Sequence, residues 1–427
     1  MVEFEKGHRL RVVGGGELEI VKELGRGGQG IVYLVTFGGK EYALKWYINF
    51  PQDLDAFYEN IKHNVEEGSP SDKFLWPLEI TEKQEGSFGY LMGLRPQNYR
   101  DVSDFLLHKC WFKNISCAIR AALEMVSAFR IIHQKGYSYQ DLNPGNFFID
   151  PDTGAVLICD NDNVSQYGRY SGIAGRQRFM APEIVRGEKK PDIHTDYFSL
   201  AVNLFFILFY SHPLEGANYY KNSCITPPIE KRLYGTNPVF VCDPIDKSNS
   251  PVRGGTDNLI KLWPAYPELL RSTFVDAFSK ESMTGGKTTQ RVDDKKWQAT
   301  FVAIRDMIVE CNKCSHAVFY NNGQTTFKCS KCGNAYKNIN VLNVAKHSIV
   351  LYPKKKLCAG HVNVNSDDFE TEVGSVMIHP ATGVLGLKNT SQNIWLVGGK
   401  QVSNGMVVPL QQGLQIDFGK GVIGTVS

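Results

Sequence analysis

The sequence lacks a secretory signal pattern: Met1-Val-Glu-Phe-Glu-Lys6 places acids where a basic and then apolar segment would stand. It also lacks a long hydrophobic run. The longest, Leu200 to Tyr210, contains Asn203 and is roughly half of what a bilayer-spanning helix needs, so it reads as a buried helix. There is no internal repeat and no low-complexity tract. An excess of charge is missing as well: the net charge is +3 over 427 residues, which gives no whole-chain argument about an acidic partner. A disulfide framework is absent, because ten cysteines are scattered except for one cluster, the usage of a reducing compartment with one metal site. These absences predict a cytoplasmic protein without a membrane segment. What remains is ordinary globular composition, 42% hydrophobic and 21% charged, with length enough for two or three domains.

The most informative stretch runs from Tyr137 to Asn146. It sets Asp141 and Asn146 five residues apart in a loop where Pro144 and Gly145 forbid a regular helix, with the apolar run Phe147 to Ile149 anchoring it as a strand. Phosphoryl transfer needs such a pair, a carboxylate to orient a hydroxyl and accept its proton and a neutral oxygen ligand for Mg²⁺. By itself an Asp and an Asn in a polar turn is a common structural event.

Upstream, Gly25, Gly27 and Gly30 spell GxGxxG with Gly28 inside it and Val32 two residues on. Glycines there let backbone N–H groups approach phosphates. A dinucleotide fold would require a helix next, but Ile31 to Val35 is a β-branched run. A Gly38-Gly39 turn then leads into a strand-like run from Glu41 to Tyr47 that carries Ala43 and Lys45. A lone lysine in a strand is usually part of a solvated face. Gln52 to Glu67 reads as a helix stopped by Gly68 and Pro70, and Gly89 to Leu94, with Met92, as a further apolar segment. Downstream, Cys117 to Phe129 has the period of a buried helix, and Val156 to Cys159 is a strand ending in Asp160, with Asp162 two residues on. Ala181-Pro182-Glu183 follows, then Asp196 before the apolar helix, then Arg291.

Taken in order, these segments resemble a eukaryotic-like (Hanks-type) serine/threonine protein kinase of bacterial style. Tyr139-Gln140-Asp141 stands where His-Arg-Asp usually stands. The resemblance implies a bilobal α+β kinase domain over 13–309, with a small lobe at 13–94 and a large lobe at 95–309. It implies ATP and Mg²⁺, and an ion pair between Arg291 and Glu183. By that resemblance Gly25, Gly27, Gly28 and Gly30 cover the phosphates, and Val32, Ala43 and Met92 border the nucleotide. Lys45 holds the α/β-phosphates, Glu59 (alternative Glu66) pairs with Lys45, and Asp141 orients the substrate hydroxyl. Asn146 and Asp160 carry magnesium, with Asp162 sharing or taking the role of Asp160. Two departures stand out. Gln140 replaces the arginine that would pair with a phosphorylated activation loop, and Asn143 replaces a lysine aimed at the γ-phosphate. The loop is also similar to that of small-molecule phosphotransferases of the aminoglycoside kinase type. A pseudokinase scaffold that binds ATP without turnover is the non-enzyme alternative.

Cys311, Cys314, Cys329 and Cys332 form two CxxC pairs. Two such turns complete a tetrahedral Zn²⁺ shell, resembling a zinc ribbon over 310–338, with His316 and the Cys358–His361 pair as possible substitutes. From Cys311 to Lys356 there are eight lysines and no acid. A solvated surface explains this better than nucleic acid, which is not an expected partner. From 345 to 427, short apolar runs between Gly, Asn and Pro predict a small all-β sandwich, and Asn389 to Trp395 with Pro409 to Gly419 resembles the second half of a forkhead-associated (FHA) domain. The elements that grip phosphothreonine in that family are not visible. Kinases of this build resemble members of tellurite-resistance-type phosphorylation systems. That resemblance implies a protein substrate, a von Willebrand factor A protein as partner, and a counteracting metal-dependent phosphatase. The insert Lys231 to Ser250 carries no recognisable chemistry.

Overall fold

The computed structural model describes residues 3–49, 53–84, 86–166, 175–286, 288–320, 326–337 and 339–427. The chain divides into two units, one of residues 1–113, 120–265 and 271–298, the other of 114–119, 266–270 and 299–427. The second unit thus takes over before the expected boundary at 310.

The first unit opens with a six-stranded antiparallel sheet in the order β1-β2-β3-β4-β6-β5. Its strands are β1 (Arg9–Arg11), β2 (Glu17–Arg26), β3 (Gly30–Phe37), β4 (Lys40–Tyr47), β5 (Glu79–Ile80) and β6 (Gly89–Met92). Buried and less buried positions alternate along β3, as a strand with one face on a core requires. Phe37 pairs with Lys40 across a two-residue turn of Gly38 and Gly39, both at positive φ (56° and 76°), which only glycine adopts freely at consecutive positions. β1 lies before residue 13, and Phe4, Leu10 and Val12 join Leu18, Ile31 and Trp46 in the sheet's core, so the small lobe begins earlier than expected. Helix α1 (Leu54–Glu67) is capped by Asp53, whose carboxylate accepts from the N–H groups of Asp55 and Ala56. It ends at Gly68, φ 72°; the expected first residue, Gln52, lies outside the described residues.

Beyond the sheet come β7 (Arg100–Asp101), α2 (Val102–Leu106) and α3 (Ile115–Gln134). The loop elements that follow are β8 (Tyr137–Ser138), β9 (Phe147–Ile149), β10 (Val156–Ile158) and β11 (Ser165–Gln166); β9 and β10 form a hairpin, and β8 pairs with β11. Next are α4 (Pro182–Arg186) and α5 (Ile193–Phe209). The α5 helix is capped by Asp192 and is buried nearly throughout, so it is the hydrophobic axis of this lobe. Each fully buried Leu, Ile or Phe on it contributes roughly 1.5–3 kcal/mol. The insert closes on Asn249, whose side chain donates to the carbonyls of Leu214 (2.9 Å) and Val239 (2.7 Å) and accepts from Gly216 (3.1 Å) and Asn218 (2.8 Å).

In the second unit β12 (Ile308–Glu310) pairs with β13 (Ala317–Phe319), and β14 (Thr326–Lys328) with β15 (Ala335–Lys337). Two larger antiparallel sheets follow. One comprises β16 (Val341–Val344), β17 (His347–Val350), β21 (Trp395–Val397), β22 (Lys400–Val402), β24 (Gln415–Asp417) and β25 (Ile423–Val426). The other comprises β18 (Lys356–Cys358), β19 (Glu372–Ile378), β20 (Leu385–Asn389) and β23 (Val407–Pro409). Leu342, Ile349, Trp395 and Ile416 from the first share one buried cluster with Leu357, Val376, Leu387 and Val408 from the second. Since β16 pairs with both β17 and β25, this β module starts at 341 rather than 345. No helix among the described residues is long and apolar enough to cross a membrane.

Candidate active site and candidate metal centre

The glycine-rich segment is the β2–β3 hairpin, closed by a Gly27 N–H to Gly30 carbonyl bond of 2.9 Å. Its glycines serve different ends. A Cβ on Gly25, Gly27 or Gly28 would meet nothing within 4 Å, whereas one on Gly30 would stand 2.3 Å from the Trp46 carbonyl of β4. Gly30 is thus a packing requirement, and the others line open space. Ala43 pairs with Met92 across β4 and β6, and both belong to one apolar cluster against which Val32 and Leu94 pack. The structure therefore brings together the three residues expected to border a nucleotide.

Lys45 is buried (5% exposed) and points to two acids: Asp162 Oδ2 at 2.7 Å and Asp160 Oδ1 at 3.2 Å. Burial opposes its charge, but Asp160 and Asp162 outweigh burial and hold the ammonium well above the ordinary lysine range. Tyr47, whose phenol burial and Asp162 keep protonated, also donates to Asp162 Oδ2. At the loop tip Gln29 Oε1 lies 3.4 Å from Lys45 Nζ.

The expected partner Glu59 is not brought to Lys45, nor is Glu66; both are exposed. The reason is helical phase. The face of α1 that meets this region presents Asn60 and Asn64, which donate to the Val164 carbonyl at 3.2 Å each, while Glu59 is turned to solvent. The acid against the lysine comes instead from the loop after β10. There Asp160 takes the left-handed conformation (φ 55°, ψ 44°), a strained state that clusters at functional loops, and its side chain stays 44% exposed. Asp162 is fully buried, and its Oδ1 has no hydrogen-bond partner among the described residues.

The Tyr137–Asn146 loop is fixed from beneath by Asp196 on α5, which accepts from the N–H groups of Tyr139 (2.6 Å) and Gln140 (3.2 Å). His133 and Asp294 complete this buried knot, with His133 3.2 Å from Asp196 and 2.9 Å from Asp294. Tyr139 donates to the carbonyls of Cys159 and Asp160, joining this loop to the one carrying Asp160. Gln140 is buried and neutral, and its amide donates to the hydroxyls of Ser138 and Ser165. Asn143 donates to Asp141 Oδ1 at 3.2 Å, and its N–H donates to Asn146 Oδ1 at 2.9 Å. Cys159 N–H bonds the Asn146 carbonyl at 2.8 Å, so Asn146 and Asp160 sit on adjoining turns. Both offer hard oxygen donors of the kind Mg²⁺ takes, and the partial exposure of Asp160 leaves its carboxylate room for an ion. Burial lifts the Asp141 carboxyl above the ordinary carboxylate range.

Glu183 and Arg291 form a two-pronged buried pair at 2.8 and 2.7 Å, and Arg291 also donates to the carbonyls of Ser282 (3.0 Å) and His194 (3.1 Å). The segment before Ala181 is held by Arg178, whose guanidinium grips Glu215, which in turn accepts from Tyr234 of the insert at 2.6 Å.

In the second unit the four cysteines converge. Sγ atoms are 3.6 Å apart for Cys311–Cys332 and for Cys314–Cys329, and one ligand atom from each lies within 4.8 Å of the others. A tetrahedron with Zn–S bonds of about 2.3 Å has S–S edges of about 3.8 Å, so the donor set fits zinc. The two turns are alike. Cys311 and Cys329 accept from Ser315 (2.7 Å) and Gly333 (2.9 Å), both in the left-handed region, and donate to His316 and Asn334 carbonyls at 2.8 Å each. All ten cysteines are free of disulfides. His316 thus contributes backbone and is not part of the cluster. Residues 321–325 and 338 of the expected zinc ribbon lie outside the described residues. His361 is no substitute ligand either: its Nδ1 accepts from Cys358 N–H at 2.9 Å and its Nε2 donates to Asp306 Oδ2 at 3.0 Å.

Comparison with known proteins adds a family. A model of the protein kinase domain matches residues 18–237. The chain is 28% identical over 220 residues to the serine/threonine-protein kinase AtPK1/AtPK6 of Arabidopsis thaliana, covering 48% of this chain and 44% of that protein. It is 32% identical over 209 residues to protein kinase C delta type of Mus musculus, covering 46% of this chain and 29% of that protein. A third relative is the serine/threonine-protein kinase MPS1 of Encephalitozoon cuniculi, 28% identical over 217 residues, covering 48% of this chain and 35% of that protein. The chain therefore spans less than half the length of these relatives. With more than half of its residues matched by that domain, the chain belongs to the protein kinase family.

Proposed function

We propose that the chain transfers the γ-phosphoryl group of ATP to serine or threonine hydroxyls of a protein substrate. The observation that carries this reading is a chain of contacts: Lys45 on β4 meets Asp160, the turn before Asp160 is bonded to Asn146, and the loop that carries Asp141 and Asn146 is anchored on Asp196. Asp141 orients the hydroxyl and takes its proton, and its raised pKa makes it a better base than an exposed carboxylate. Lys45 holds the α/β-phosphates, Asp162 and Tyr47 hold Lys45, and Asn146 with Asp160 are the magnesium ligands. Bound Mg²⁺ supplies charge neutralisation at the phosphates. The Ala181–Glu183 segment, braced by Arg291, supports a protein rather than a small-molecule acceptor.

The cysteine cluster holds one structural Zn²⁺ in a zinc ribbon. The paired sheets behind it form an FHA-like β sandwich that docks partners. The substrate class we assign by resemblance is a von Willebrand factor A protein, with a metal-dependent phosphatase as counterweight. Transfer of radiolabel from ATP·Mg²⁺ to protein tests the central reading. Asp141→Ala is expected to abolish transfer while retaining ATP binding. Equal turnover in that variant, or label on small molecules only, would overturn it.

A further inference from the structure

The catalytic loop offers no cation to a phosphoryl group in flight. Asn143 stands two residues past Asp141 and its amide is engaged within the loop, Nδ2 on Asp141 Oδ1 at 3.2 Å and Oδ1 on Gly145 N–H at 3.0 Å. Lys45, held by Asp160 and Asp162, is assigned above to the α/β-phosphates and not to the γ-phosphoryl group. Yet the transition state spreads charge over the equatorial phosphoryl oxygens, and its stabilisation comes mainly from positioned cations.

Arg176 is placed to supply one. It borders the same cavity as Asp141, together with Gln140, Leu142, Gly175 and Thr195. The approach is close: a Cβ on Gly175 would lie 2.9 Å from Asp141 Oδ1, and the φ of +83° there suits only glycine. Arg176 is then fixed as the first residue of a turn, its carbonyl accepting from the N–H groups of Phe179 (2.8 Å) and Met180 (3.2 Å). Its side chain is exposed and makes no hydrogen bond or ion pair with any described residue. Burial raises the Asp141 carboxyl and the Arg176 charge pulls it down, so the two groups share one field.

We propose that Arg176 is a catalytic residue whose guanidinium engages the γ-phosphoryl oxygens of ATP, replacing the cation missing at Asn143. This rests on the kinase reading above. In the step, the acceptor oxygen forms its bond to Pγ and its proton passes to Asp141. The bond from Pγ to the bridging oxygen breaks, and ADP leaves with the electron pair. A planar fork of N–H donors suits two phosphoryl oxygens at once, a geometry that an ammonium matches only in part.

The test uses the full chain. Affinities for ATP·Mg²⁺ and ADP·Mg²⁺ are measured by calorimetry in wild type, Arg176→Ala and Arg176→Lys, beside steady-state label transfer. The expected result is that Arg176→Ala lowers the preference for ATP over ADP about tenfold, with ADP affinity unchanged, and lowers kcat about a hundredfold. Arg176→Lys should recover part of both. An unchanged ATP/ADP ratio in Arg176→Ala would overturn the proposal. So would faster transfer, which would mark Arg176 as a brake on Asp141. The binding ratio needs no turnover, so a wild type that binds but transfers nothing speaks against the kinase reading, while the ratio still judges Arg176.

Discussion

Asp162 is the acid on which the position of Lys45 depends, and Asp162→Asn is the perturbation that tests it. Asparagine keeps the shape and an oxygen acceptor but removes the charge 2.7 Å from a lysine that is 5% exposed. Removing one partner of a buried ion pair costs about 3–5 kcal/mol, because the other charge is left without compensation in a dry site. Here Asp160 remains 3.2 Å from Lys45, but at 44% exposure its pull is weakened by solvent, so it offsets only part. The expected net loss is about 2–3 kcal/mol, which corresponds to a fall in Tm of roughly 3–5 °C for a unit of this size. Label transfer should fall at least tenfold, since Lys45 then shifts towards Asp160 and away from the phosphates. Thermal melts and transfer assays on Asp162→Asn and Glu59→Ala decide the matter. Glu59→Ala is expected to sit near wild type in both, because Glu59 is exposed. If Asp162→Asn were silent while Glu59→Ala lost activity, the assignment of the lysine's anchor to the loop would be wrong.

Three other outcomes are expected. Metal analysis should find about one zinc per wild-type chain and a clear loss in the Cys311→Ser, Cys329→Ser double variant, with a lower melting temperature for the C-terminal unit; undiminished zinc would refute the centre. Gly30→Ala should destabilise strongly, since its Cβ would sit 2.3 Å from a β4 carbonyl, whereas Gly28→Ala meets open space and should leave the melting temperature nearly unchanged while raising KM for ATP. Burial works against the His133 charge, but Asp196 and Asp294 hold its pKa up at about 9, above the 6.5 of an unfolded histidine. That stabilisation, on the order of 3 kcal/mol, is complete below about pH 6.5 and disappears as pH rises through about 9. Melting temperatures over that window should fall in wild type and stay flatter in His133→Gln.

Much of the small lobe and the catalytic loop was legible because their chemistry is written at short range. A glycine hairpin before a β-branched run, a lysine in a strand, and Asp141 five residues before Asn146 need no tertiary knowledge. The distant pair Glu183–Arg291 was reached through the resemblance, and the structure brings its members together. What failed was phase. Two glutamates of α1 had reasonable spacing, but which helix face meets the lysine depends on how α1 packs through Phe57 and Ile61, and that face carries Asn60 and Asn64. The contributions of Gln29 and Tyr47 at Lys45 were likewise invisible, because neither residue type signals a role by itself. The early start of β1 and β16 escaped for a plainer reason. Short strands carry too few residues to show a period.

Tyr139 has a consequence for how the loop from Tyr137 to Asn146 responds to pH. In this family a histidine usually occupies its place, and an imidazole gains or loses a proton near pH 6.5, so a joint built on it changes character within the range that cells visit. The phenol that ties the carbonyls of Cys159 and Asp160 to the catalytic loop is buried and held well above the ordinary tyrosine range, so it remains a donor from acid to alkaline medium. The seam between the loop that carries Asp141 and the loop that carries Asp160 is therefore indifferent to acidification. Under the proposed function, acid sensitivity of transfer is expected at the carboxylates and not at this joint.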